Sequence, residues 1–257
     1  MGVTFFHWGL HPWAVYAVVG LSLAYFSYRR GLPLSIRSAF QPLLGDKING
    51  PAGDFIDILA VVSTLFGVAT SLGLGAMQVN SGLNHVFGLT ESSTIQVIII
   101  GCITALATVS VVSGLDVGIK RLSEFNMGIA SALLLFVFLA GPTAFFVNAF
   151  VDNIGSYLKH LPHHSFWTGT FSPPEEQAWL SSWTVFYWAW WIAWAPFVGM
   201  FIARVSRGRT IREFMTAVLL APTLAGFIWL TVFGDAALHE EIYGAGGIAA
   251  AVSESLP

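Results

Sequence analysis

What this sequence has least of is charge. Asp, Glu, Lys and Arg make up 10% of its 257 residues, where a soluble domain carries roughly 25%. The 55% that are hydrophobic gather in long runs, so composition alone places the chain in a membrane. A formal net charge of −3 is too small to argue for nucleic acid as a partner. There is one cysteine, Cys102, inside an apolar run, which excludes a disulfide framework and a thiolate metal site. No HExxH, no GxSxG and no phosphate-cradling glycine loop occurs, so an enzyme is not expected. The first eight residues have no basic segment of the kind that opens a secretory signal. His160, His163 and His164 cluster, but their spacing is not a ligand pattern and no thiol or carboxylate accompanies them closely. Neither metal nor cofactor is expected.

What is present is a series of apolar runs, each long enough for the roughly 20 residues a bilayer span needs. Six are expected, at about 12–28, 58–77, 94–114, 127–150, 183–203 and 214–234. The loops between them orient the chain. Arg29, Arg30, Arg37 and Lys47 follow the first span, Lys120 and Arg121 the third, and Arg204, Arg207, Arg209 and Arg212 the fifth. The remaining loops hold only Lys159 as a basic residue, and Asp235, Glu240 and Glu241 follow the sixth span. Basic loops face the cytoplasm, which puts both ends of the chain outside. The outer segment 151–182 is expected to be irregular, with a short interfacial helix over 154–161. No span carries Lys, Arg, Asp or Glu near its centre, and this argues against a side-chain proton relay inside the membrane.

The most specific signal is aromatic. Trp183, Trp188, Trp190, Trp191 and Trp194 fall inside one uncharged span. A span that only has to be apolar uses Leu, Ile and Val, and tryptophan usually stays at the membrane interface. On a helix, Trp190, Trp194, Phe197 and Phe201 share a face, with Trp191 beside them. Pro196 interrupts the same turns and is expected to kink the helix and free backbone carbonyls. Ring faces attract cations, quaternary ammonium groups above all. Trp8, Trp13 and Tyr16, around the start of the first span, read either as an interfacial belt or as further walls of the same ring box. The second span is rich in small residues (Gly67, Ala69, Ser71, Gly73, Gly75, Ala76) and in hydroxyls (Ser63, Thr64, Thr70). These serve close helix packing or line a path for an ion or substrate.

The run Trp183-Thr184-Val185-Phe186-Tyr187-Trp188-Ala189-Trp190-Trp191, continued by Ala195-Pro196-Phe197-Val198-Gly199-Met200-Phe201-Ile202-Ala203-Arg204, resembles the signature of the betaine–choline–carnitine transporters. Phe6-His7-Trp8-Gly9-Leu10-His11-Pro12-Trp13 is similar to the start of that family's fourth span. The resemblance implies an all-α integral membrane protein whose six spans are the fourth to ninth of a twelve-helix inverted-repeat (LeuT-like) transporter, with substrate held near the midplane. It implies that Trp8, Trp13, Tyr16 and Trp191 form an aromatic box, with Trp190, Trp194 and Phe197 along the substrate path. Thr64 matches the first threonine of a sodium-linked Thr-x-x-x-Thr pair, whose second member is Val68 here. The departure favours a proton over sodium as coupling ion, with sodium symport the alternative. Ile48-Asn49-Gly50-Pro51 and Ser113-Gly114-Leu115-Asp116 look like the bacterial choline importers, which ranks choline ahead of glycine betaine. The resemblance further implies a homotrimer in the bacterial inner membrane. A quaternary-ammonium-binding sensor that transports nothing is the competing class.

Overall fold

The structure is a computed structural model that describes residues 1–112 and 120–255. The stretch from Ser113 to Asp116 lies outside the described residues. Among the described residues all regular structure is helical. The chain begins with α1 (Gly2–Trp8) and α2 (Leu10–Arg30), one span interrupted at Gly9. A connector of two 3-10 turns (Ile36–Phe40 and Gly45–Asn49) flanking α3 (Gln41–Leu44) leads to α4 (Pro51–Phe87). Then come α5 (Ser93–Val112), α6 (Lys120–Ala140), α7 (Thr143–Phe166) and α8 (Pro174–Leu180). A π-helical turn (Ser181–Val185) joins α8 to α9 (Phe186–Val205), and α10 (Ile211–Tyr243) and α11 (Ile248–Ser255) close the chain. Among the described residues six stretches are long and apolar enough to cross a membrane: Gly2–Arg30, Pro51–Phe87, Ser93–Val112, Lys120–Ala140, Pro174–Val205 and Ile211–Tyr243.

Local chemistry sets the ends. α4 starts on Pro51, whose missing N–H belongs to the first turn that has no acceptor anyway. It stops at Gly88, in the left-handed region at φ 69°, with its N–H on Asn84 O at 2.8 Å. α10 opens with a reciprocal cap: Glu213 N–H donates to Thr210 Oγ1 (3.2 Å) and Thr210 N–H to Glu213 Oε2 (2.8 Å). Arg37 ties the connector to α4. Its backbone N–H donates to Asp57 Oδ1 (2.9 Å), and its guanidinium reaches Asp54 (2.8 Å) and Ile48 O (3.3 Å).

Three helix bounds differ from the sequence expectation. The span expected over 127–150 is two helices, because Gly141 and Pro142 separate α6 from α7. Proline disfavours helical backbone at the residue before it. The outer segment expected to be mostly irregular is helical to Phe166: α7 absorbs the short helix at 154–161 and runs on through Pro162. The sixth span does not end at Gly234 but continues to Tyr243, which places Asp235 inside the helix, where it is 3% exposed. A buried carboxyl group therefore stands in the last third of the sixth span, just beyond the end expected for it.

The core lies where α2, α9 and α10 meet. Gly20 and Gly199 let α2 and α9 approach: a Cβ on Gly199 would sit 2.5 Å from Val19 Cγ1 and 3.2 Å from the Gly20 nitrogen. Tyr16, Ala17, Ala195, Ile202 and Phe214 fill the interface. A second cluster joins α1, α7 and α10 through Phe5, Phe6, Tyr157 and Phe227, with Phe5 stacked on Phe227 at 3.9 Å.

Candidate functional site

The interruption at Gly9 sets Trp8 at the end of one short helix and Trp13 and Tyr16 on the next. Across from them α9 presents its tryptophans. Trp8 meets Trp191 edge to face, with ring centroids 4.9 Å apart at 90°, and Trp190 at 6.3 Å and 82°. Tyr16, 3% exposed, meets Trp191 at 5.6 Å and Trp13 at 5.4 Å, both near-perpendicular. Trp190 and Trp191 lie 6.2 Å apart. Five of the expected site residues thus form one ring cluster built from three helices, α1, α2 and α9.

The three indole N–H groups of α9 that face this region, on Trp190, Trp191 and Trp194, are committed elsewhere, which leaves those rings to act through their faces. Trp190 Nε1 and Trp194 Nε1 both donate to Ser71 Oγ on α4, each at 3.1 Å. Trp191 Nε1 donates to His7 O at 3.0 Å. Buried indoles usually find such partners. Gly67 gives Trp194 its place on α4, since a Cβ there would lie 3.1 Å from the indole Cδ1.

The other expected residues stand apart from the cluster. Phe197 meets Trp194 at 5.7 Å and is 55% exposed. Seven residues beyond Trp190, it lies about 10 Å further along α9. With Thr64 it lines a cleft of about 360 Å³ that also includes Ser35, Asp57, Pro196 and Met200. Thr64 Oγ1 donates to Ala60 O at 2.9 Å, the usual back-bond of a helical threonine. Pro196 lies inside α9 without ending it, and Ser63 Oγ donates to Ala193 O (3.4 Å) in the turn before it.

Sequence reasoning missed the outer rim. His7, 3% exposed, stacks on Tyr187 at 4.6 Å, and its Nε2 lies 2.9 Å from Thr184 Oγ1. Tyr187 also meets Trp8 at 5.8 Å. With Trp179 and Trp183 they line a cavity of about 300 Å³ that opens beside Trp8. Tyr187 was findable, since it stands four residues before Trp191 in the same aromatic run. His7 carries no such signal, since its partners Thr184 and Tyr187 lie far from it in sequence. On α7, burial and then the neighbouring His163 and His160 hold the His164 imidazole below its ordinary pKa of 6.5. A cavity walled by rings and lacking carboxylates suits a cation without N–H donors. Such a group gains from quadrupole attraction and has nothing to offer a hydrogen-bond acceptor.

Residues 1–257 match the family model for BCCT, the betaine/carnitine/choline family transporters. The chain is 50% identical over 253 residues to the glycine betaine transporter OpuD of Bacillus subtilis, covering 98% of this chain and 49% of that protein. It is 52% identical over 250 residues to glycine betaine transporter 1 of Vibrio parahaemolyticus (97% and 47%). To a glycine betaine/proline/choline/ectoine transporter of the same organism it is 51% identical over 256 residues (97% and 44%). The chain spans about half the length of the curated relatives it matches.

Proposed function

The chain belongs to the betaine/carnitine/choline family of transporters, and from that premise we propose that the protein carries quaternary ammonium solutes inward across the bacterial inner membrane. The ammonium group is held among Trp8, Trp13, Tyr16, Trp190 and Trp191. The observation that carries this is the convergence of those five rings from three helices, with the indole N–H groups of Trp190 and Trp191 bound elsewhere. Trp194, Phe197 and Thr64 continue the path toward the basic, cytoplasmic side. The relatives' names put glycine betaine first, so it is placed ahead of choline here, in the reverse of the order drawn from the sequence. In the full-length protein, Trp191→Leu is expected to weaken glycine betaine binding by about 0.5–2 kcal/mol, the range for one cation–π contact. Unchanged affinity in a folded variant refutes the assignment.

The proposed driving force is the proton-motive force, because Val68 presents methyl groups where a sodium site needs oxygen. Sodium coupling is the second reading. It is favoured by Thr64 and Asp57 lining one cleft. Uptake into proteoliposomes under an imposed proton gradient without sodium separates the two: background uptake there, restored by external sodium, establishes sodium symport.

A further inference from the structure

The break at Gly9 is tied down on both sides. Where α1 ends, carbonyls lack intrahelical donors, and where α2 begins, N–H groups lack acceptors. Pro12, in the first turn of α2, lessens the second problem by having no N–H. On the α1 side, His7 O accepts the Trp191 indole N–H at 3.0 Å. On the α2 side, Leu10 N–H donates to the hydroxyl of Tyr157, on α7, at 3.2 Å. Tyr157 is 2% exposed, and its ring packs against Phe227 (5.1 Å) and Phe5 (6.4 Å). A Cβ on Gly9 would lie 2.5 Å from Phe5 O, and 3.0 Å from both Phe227 Cζ and Tyr157 Oη. One turn earlier on the same face of α7, Asn153 Nδ2 donates to Asp235 Oδ2 (2.6 Å) and Thr231 Oγ1 (3.4 Å) of α10. This anchors the stretch of α7 that carries Tyr157.

We propose that Tyr157 is a positioning residue for the solute site, fixing the joint between α1 and α2 and thereby holding Trp8, on one side of Gly9, in register with Trp13 and Tyr16 on the other. The inference rests on the ring cluster being the solute site. Leu10 N–H, deprived of its acceptor in a buried setting, has to find another by turning the start of α2. That turn shifts Trp8 relative to Tyr16, and it shifts the His7 carbonyl that orients Trp191. The outer helix α7 thus sets the shape of the solute site through the backbone.

The test is Tyr157→Phe in the full-length protein, which removes the oxygen and keeps the ring. Kd and KM for glycine betaine are expected to rise about three- to tenfold, the factor that one net hydrogen bond represents, with the maximal uptake rate nearly unchanged and the melting temperature lowered by the loss of the buried bond. In a Trp8→Leu background the same change should add less than about twofold, because the ring it positions is gone. Losses that multiply in the double variant overturn the route through Trp8. An unaltered Kd in folded Tyr157→Phe, alongside weakened binding in Trp191→Leu, overturns the positioning role and leaves the solute site standing. If Trp191→Leu is silent as well, the solute site fails and this inference with it. Should the Phe variant not insert, hydrogen exchange on the unaltered protein decides. Amides at 8–13 and at 153–159 are expected to slow together when glycine betaine is added, and a response confined to one segment overturns the proposal.

Discussion

α9 and α5 are both 20-residue apolar helices, and they sit in opposite surroundings. α9 is gripped by α2 and α4, with Ala195, Gly199, Ile202 and Ala203 buried. Neither α5 nor its neighbour α6 has a single buried residue among those described. The difference lies in side-chain size and polarity rather than in hydrophobicity. α9 offers Gly and Ala where another backbone must come close, and tryptophan N–H groups that need a partner. α5 offers mostly Ile, Val, Thr and Ala, with no aromatic ring, and lipid satisfies it as well as protein does.

Gly199→Val puts the greatest strain on this contrast. With 2.5 Å between a Cβ and Val19 Cγ1, α2 and α9 must move apart. A loss of about 1–3 kcal/mol or more is expected from overpacking, read as a lower melting temperature in detergent. Asn80→Ala comes next. Asn80 is fully buried at the turn from α4 to α5, donating to Thr90 O (3.3 Å) and accepting from Ser92 N–H (3.2 Å). Its removal should cost about 1–3 kcal/mol by leaving those backbone groups unpaired. If it costs nothing, α5 is held by something other than this turn.

A smaller effect is expected from acid. The folded state keeps the His164 pKa below 6.5, so between the two values the unfolded chain binds more protons. The stability this site contributes is complete above pH 6.5 and declines as pH falls through 6.5 toward the lower, folded value. The melting temperature should drop over that window, and His164→Gln should flatten the drop. Gly101→Ala and Gly128→Ala, in α5 and α6, sit at the bottom of the scale. Nothing lies within 4 Å of either Cβ, so both should be neutral or gain up to about 1 kcal/mol of helix propensity. A marked loss from either shows that α5 or α6 meets a protein surface there.

Topology is checked separately, in a Cys102→Ser background. A cysteine at Thr170 should react with an impermeant thiol reagent from outside, and one at Arg207 should not.

The number of spans was legible because apolar runs and basic loops alternate without exception apart from Lys159. Their ends were less so. Gly141-Pro142 reads as a mere interruption of one long apolar run, since Val147, Phe150 and Val151 continue it. Asp235 reads as a loop residue because Glu240 and Glu241 follow close behind. The tryptophan face of α9 was legible from its steps of four and three. The partners of those rings were not, since His7 O and Ser71 Oγ lie far from them in sequence and only the meeting of three helices brings them together. No periodicity marks Tyr157 either: its hydroxyl matters through a backbone N–H 147 residues away.

Ser71 carries one more consequence. Its single oxygen receives both the Trp190 and the Trp194 N–H, so both of its lone pairs are filled. Two successive turns of α9 are therefore fastened to α4 at one atom. Replacing that one oxygen therefore touches both rings at once. Sequence drift at this position is constrained in the same way. Threonine can keep the latch, whereas alanine, nearly the same size, strands two donors in one step. The contact ties two turns of α9 to α4 through one atom, so a movement of one helix against the other that draws Ser71 away leaves both indoles without their acceptor.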